Sequence, residues 1–268
     1  MPHRPIGIFD SGIGGLTVFR EIAKILPNED LIYLGDTARV PYGTKSAATV
    51  TRYAFQNVRC LLQEDVKLVV VACNTASAFA LDALQKEFSI PILGVVEPGV
   101  AGALREVAAK KKGRVGVIGT EGTISSGAYE KSLIEKSPGI SIKSSACPLF
   151  VPLVEEGWWE NDVAESVARV YLREILAEGL DALILGCTHY PLLKKTLRKV
   201  AGEGVVLVDS AEETALETSS LLDARGLKRE SNPKPARKFL VTDSPERFQR
   251  VGKLILESEL TNIHHVEI

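Results

Sequence analysis

Two cysteines stand out because each follows an apolar run and precedes short hydrogen-bonding side chains. In residues 68–77, LVVVACNTAS, three valines lead to Cys73, Asn74 and Thr75, and an alanine-rich helical pattern follows. In residues 182–192, ALILGCTHYPL, a second apolar run leads to Cys187, Thr188 and His189, before a helix opened by Pro191. Such runs read as buried parallel strands, and parallel sheets hold their ligands outside the carboxyl ends of the strands. A free thiol ionises near pH ~8.5, so at neutral pH it needs help to act as a base. Asp10, at the end of the first strand, is placed to accept a proton from Cys73 or hydrogen-bond it, and His189 stands two residues past Cys187. A helix N-terminus beside each sulfur favours the anion. One activated thiol would point to a nucleophile. Two facing thiols, each with its own partner, point to proton transfer on both faces of one carbon, which is what a racemase needs. A single-thiol hydrolase, with an oxyanion hole, would leave the second cysteine unexplained.

Other side chains can serve such a site. Ser11, Asn74, Thr75 and Thr188 are short donors suited to carboxylate and ammonium groups, although any one alone is more often a helix cap. The glycines of Asp10-Ser11-Gly12-Ile13-Gly14-Gly15 make a tight turn and expose backbone N–H groups where a carboxylate fits. Their spacing matches neither nucleotide-binding glycine pattern. Tyr42 and Gly43, in VPYG, read equally as an ordinary turn or as part of the site. Glu155, in PLVEEG, reads as a solvated helix acid. Trp158 and Trp159 beside it fit either a partly buried surface, such as a subunit contact, or simple core packing. Cys60 and Cys147 read as small buried hydrophobes. Cys187 and His189 supply only two metal ligands, and the other histidines sit at the termini, so no metal is expected.

The elements that must position these residues alternate between strand and helix. Strands are expected at 6–9, 31–34, 68–73, 92–95, 114–119, 182–187, 205–208, 238–242 and 262–268. Helices are expected at 16–26, from a cap at Thr44 to about Glu64, at 76–88, from Pro98, at 211–225 and at 245–257. Asp10 precedes Cys73 by 63 positions, and Thr120 precedes Cys187 by 67. The strand and polar turn at 114–125 resemble those at 6–15, which implies an internal duplication. The expected fold is α/β: two similar lobes of mostly parallel sheet flanked by helices, related by a pseudo-twofold, with the active site in the cleft between them. Residues 1–97 plus 210–268 form the first lobe, carrying Cys73. Residues 98–209 form the second, carrying Cys187.

Composition excludes several classes. The chain has 268 residues, 45% hydrophobic and 25% charged, with a formal net charge of −2. That describes a globular protein with no nucleic-acid surface. The densest positive cluster, residues 108–113 (AAKKKG), reads as a last helical turn before a glycine cap. No apolar run approaches the roughly 20 residues of a membrane helix, and residues 1–5 are too short for a signal peptide. A cytoplasmic protein with reduced cysteines is expected, and the wide cysteine spacing fits neither a disulfide framework nor structural zinc.

Taken together, DSGIGG, GDTARVPYG, ACNTAS, PLFVPLVEEG and GCTHYPLL resemble the blocks of the glutamate racemase family, in order, from about residue 6 to the end. The resemblance implies two α/β lobes, no pyridoxal phosphate or other cofactor, and no metal. It implies Cys73 and Cys187 as acid/base thiols serving D- and L-glutamate respectively, assisted by Asp10, His189 and Glu155. It also implies substrate contacts at Asp10, Ser11, Tyr42, Gly43, Asn74, Thr75 and Thr188. It further implies a homodimer that supplies D-glutamate for peptidoglycan, and so for cell-wall biogenesis and cell shape. The short segment before the first strand gives no expectation of the activation by a peptidoglycan precursor that N-terminally extended members show. Aspartate racemase, or a related amino-acid racemase, stays open because short donors do not measure substrate length. So does a non-catalytic amino-acid-binding protein.

Overall fold

Short runs of β-branched and aliphatic residues give parallel strands whose side chains alternate between two covered faces. The computed structural model describes residues 2–109 and 113–268, so the lysines at 110–112 of the basic cluster lie outside the described residues. The first part of the chain runs β1 (Ile6–Asp10), α1 (Leu16–Ile25), β2 (Leu31–Gly35), a 3-10 turn (Tyr42–Thr44), α2 (Ala47–Leu62), β3 (Leu68–Val71), α3 (Asn74–Glu87) and β4 (Ile92–Gly94). After α4 (Val96–Val107) come β5 (Arg114–Gly119), α5 (Glu121–Ser125), α6 (Ala128–Lys136), β6 (Ser141–Ala146), α7 (Phe150–Glu155), α8 (Asp162–Leu176) and β7 (Ala182–Gly186). A 3-10 turn (Tyr190–Leu193), α9 (Lys194–Ala201), β8 (Val206–Asp209) and α10 (Ser210–Ala224) follow. The chain ends with β9 (Arg237–Val241), α11 (Pro245–Leu256) and β10 (Ile263–His265).

Two parallel sheets result, ordered β10-β9-β2-β1-β3-β4 and β6-β5-β7-β8. The four-strand order β2-β1-β3-β4 repeats as β6-β5-β7-β8, so β3 and β7, which lead to the two cysteines, hold equivalent places. β9 and β10 return to extend the first sheet, as the sequence implies. Ile6, Ile8, Tyr33 and Val70 face α1, α10 and α11, while Phe9, Leu34, Val69 and Val71 face α2 and α3. In the second sheet Leu183 and Leu185 face α7, α8 and α9, and Val115, Val117 and Ile184 face α4 and α6. Each such fully buried aliphatic side chain contributes about 1.5–3 kcal/mol. No helix among the described residues is long and apolar enough to cross a membrane.

Several boundaries differ from expectation for local reasons. Ser46, not Thr44, caps α2, its hydroxyl accepting from the Thr49 N–H, because Thr44 is already committed to the 3-10 turn. α3 starts two residues early, with the Cys73 sulfur itself accepting from the Ala76 N–H at 3.5 Å. Pro191 sits in a 3-10 turn, and the α-helix proper begins at Lys194.

Beneath the first sheet, Lys67 is fully buried and paired with Glu29, and its ammonium also donates to the Pro2 and Leu227 carbonyls at 2.6 and 2.8 Å. Glu29 in turn accepts from the Arg229 N–H at 2.8 Å, which ties the returning segment to the sheet. Lys67→Met leaves that carboxylate buried without its ammonium partner. The expected loss is about 3 kcal/mol, read as a lower urea midpoint with an unchanged slope. An unchanged midpoint would show that the network contributes nothing.

Candidate active site

Both thiols stand at carboxyl ends of strands, Cys73 beyond β3 and Cys187 beyond β7, and both line one narrow cavity. The first sheet's loops supply Ser11, Tyr42, Gly43, Cys73, Asn74 and Thr75 to its wall; the second sheet's supply Thr120, Val151, Cys187, Thr188 and His189. A hollow of about 400 Å³ beside α11 and another of about 1050 Å³ under the amino ends of the strands are roomier, but neither contains a thiol.

The two sulfurs have unlike surroundings. Burial, then the charge of Asp10, pushes the Cys73 thiol up to about 12, against the opposing pull of the Ala76 N–H and the Ser11 hydroxyl. A helix N-terminus was expected to favour the thiolate there, and desolvation outweighs it. Cys187 has instead a cationic neighbour, with its Sγ 3.8 Å from His189 Nδ1. Burial opposes charge on the imidazole, yet hydrogen bonds to Cys187 and Glu155 dominate and raise His189 to about 10. A positive ring facing a sulfur stabilises negative charge placed on that sulfur.

Asp10 and Glu155 stand behind this wall rather than in it. Asp10 is fully buried, accepting from the Gly12 N–H at 3.0 Å and from the Thr188 hydroxyl at 3.3 Å. Burial raises its pKa despite the nearby charge of His189. Glu155 ends α7 and is not the solvated acid its composition implies. Its side chain is 16% exposed, with Oε1 3.2 Å from His189 Nε2 and Oε2 3.1 Å from Arg247. Burial works to raise this carboxyl, but the hydrogen bond and charge of His189, with Arg247, hold it below the ordinary carboxylate range.

Asn74 carries an open valence. Its Oδ1 takes the Tyr129 hydroxyl at 2.6 Å, while its buried Nδ2, at the cavity wall, has no partner among the described residues. An unmet buried donor costs about 1–3 kcal/mol, so the site is built for an acceptor that the ligand brings. Thr75, Thr120 and Thr123 hydroxyls lie 2.9–3.0 Å from one another and join the two halves of the wall. Tyr42 is locked by Asp36, which its hydroxyl donates to, and by the Asn57 amide at 3.0 Å. Its place in this network goes beyond an ordinary turn.

Sequence reasoning passed over Thr120, Thr123, Tyr129 and Asp36. Asp36 had a usable signal, since it directly follows a strand and opens a polar turn, much as Asp10 closes β1 before one. Cys60 is half-buried on α2; Cys147 is buried in the second sheet's core, and desolvation pushes its thiol up to about 12. Trp158 is half exposed, whereas Trp159 packs on the second sheet's core.

Fold and site together define a two-sheet parallel α/β protein whose cavity presents one thiol from each half. Residues 6–218 match the Asp/Glu/Hydantoin racemase family, and the chain belongs to that family. It is 53% identical over its full length to a glutamate racemase of Geobacter metallireducens, covering 98% of that protein. A glutamate racemase of Syntrophus aciditrophicus is 47% identical over 98% of this chain and 97% of its own. Among solved structures, glutamate racemase of Bacillus anthracis superposes with a TM-score of 0.95 at 41% identity, covering 100% of this chain and 99% of that one. The Francisella tularensis enzyme, solved in complex with D-glutamate, gives 0.91 at 41% identity, covering 100% of this chain and 98% of that one.

Proposed function

We propose that the chain is a glutamate racemase that interconverts L- and D-glutamate by two-base proton transfer, with no cofactor. The observation that carries this reading is the single cavity into which equivalent strands deliver Cys73 and Cys187. Glutamate is chosen over aspartate because the relatives above bear that name at 41–53% identity. The lobes are taken as residues 1–97 plus 210–268 and residues 98–209.

In the direction from L-glutamate, the Cys187 thiolate removes the α-hydrogen as a proton, leaving the electron pair on the α-carbon and its carboxylate. Cys73, held as a thiol by its burial, gives its proton to the opposite face, and that S–H bond breaks as the new C–H bond forms. The reverse reaction exchanges the roles. Ser11, Asn74 and Thr75, with Tyr42, Gly43 and Thr188, bind the substrate. The free Asn74 Nδ2 donates to the carboxylate, where charge develops. His189 supports the Cys187 thiolate, Glu155 orients His189, and Asp10 fixes Thr188 and tunes Cys73. A homodimer in the cytoplasm, feeding D-glutamate to peptidoglycan synthesis, completes the reading.

Incubation of L-glutamate with the enzyme in heavy water tests the scheme. Early D-glutamate is expected to carry deuterium at the α-carbon while the remaining L-glutamate does not, because each thiol holds a single proton. Early label in both isomers would mean one shared base. No D-glutamate at all would remove the activity.

A further inference from the structure

The contacts that end on Cys187 begin on the other side of the cleft. Arg247 belongs to α11, whose Phe248 sits in the core of the first sheet. Its Nη2 nevertheless lies 3.1 Å from Oε2 of Glu155, on α7, which packs on the second sheet. The other oxygen of that carboxylate is 3.2 Å from His189 Nε2, and His189 Nδ1 is 3.8 Å from Cys187 Sγ. We propose that Arg247 is a positioning residue for the Cys187 half-reaction, holding the outer oxygen of Glu155 so that the inner one stays on His189. This rests on the two-thiol reading above.

The last torsion of a glutamate is broad, so a carboxylate held at one oxygen only is poorly fixed. Glu155 borders a hollow lined also by Gly12, Val40, Asp243 and Phe248, so its outer oxygen faces space from which solvent can reach it. A guanidinium on the outer oxygen closes that approach. Arg247 is 48% exposed along its side chain, so as an ion pair it adds little to stability. Its effect is on orientation. Among the described residues, Cys187, Glu155 and Asp10 are charged or titratable groups that act on His189, and Arg247 reaches it through Glu155. The bond also spans the two layers, so the Cys187 partner is fully assembled only when they stand in this arrangement.

Arg247→Ala and Arg247→Lys in the full chain test the assignment. For Arg247→Ala, kcat is expected to fall about fivefold with KM moved less than twofold, and Arg247→Lys should regain most of the loss. The discriminating readout is the primary isotope effect on kcat/KM with α-deuterated L- and D-glutamate. It should grow for the enantiomer whose hydrogen Cys187 removes and shrink for the other, because only one of the two transfers has been slowed. In a Glu155→Gln background, Arg247→Ala should add nothing further. Unchanged kcat, or equal isotope effects in variant and wild type, would overturn the role of Arg247 while leaving the racemase reading intact. A wild-type chain that does not racemise glutamate would defeat both.

Discussion

Cys73→Ser is expected to lower glutamate racemisation by about a thousandfold, the usual order for losing a positioned acid or base, while leaving glutamate binding within a few fold. The hydroxyl is a far weaker acid than the thiol, even one raised to about 12 by burial and Asp10. It therefore cannot deliver its proton to the carbanion at a useful rate. Both directions must fall together, because mirror-image substrates have equal free energy and the ratio of their kcat/KM values is fixed at unity. Folding should not suffer. The sulfur caps α3 through the Ala76 N–H at 3.5 Å, and serine is the better N-cap. Circular dichroism of the glutamate pool gives the rate, and calorimetric titration with D-glutamate gives the binding. Turnover within tenfold of wild type would show that Cys73 is not an acid/base group.

What the sequence disclosed follows from how local each cause is. A strand buried on both faces must be an apolar run, so β3 and β7 and the cysteines after them were readable in LVVVAC and ALILGC. The repeated spacing then carried over into a repeated strand order. Composition alone makes Glu155 a solvated acid, because its environment is set by His189, 34 positions away, and Arg247, 92 away, and no local pattern encodes either contact; only the family resemblance pointed to it. Tyr129 reaches Asn74 across 55 positions and was invisible for the same reason. The direction of the Cys73 shift was missed on different grounds. Sequence displays the neighbours that favour a charge, whereas the desolvation that opposes it depends on how completely the two layers cover the residue. The cap at Ser46 instead of Thr44 is a smaller failure of the same kind, decided by which hydroxyl the preceding turn had already used.

Gly14→Ala tests how tightly that coverage holds the second thiol's partner, and it is expected to lower kcat by about a hundredfold, the penalty for displacing a catalytic group by about 1 Å. A methyl at Gly14 would lie 2.4 Å from His189 Nδ1, 2.6 Å from its Cε1 and 2.5 Å from Thr188 Oγ1. Nδ1 is the atom that faces the Cys187 sulfur, so the clash falls on the contact the half-reaction uses. Neither side can retreat freely. The Thr17 hydroxyl bridges the Gly14 and Thr188 carbonyls at 2.9 Å each, clamping the two turns together, and Glu155 backs the far side of the ring. The imidazole must therefore rotate away from Cys187, at an overpacking cost of about 1–3 kcal/mol in stability. Gly12→Ala is the matched control. Its methyl would meet only the Val40 side chain, at 3.1 Å, and kcat should change less than threefold. Parallel losses in the two variants would trace the effect to turn stiffness, whereas loss confined to Gly14→Ala places it in the contact between His189 and Cys187.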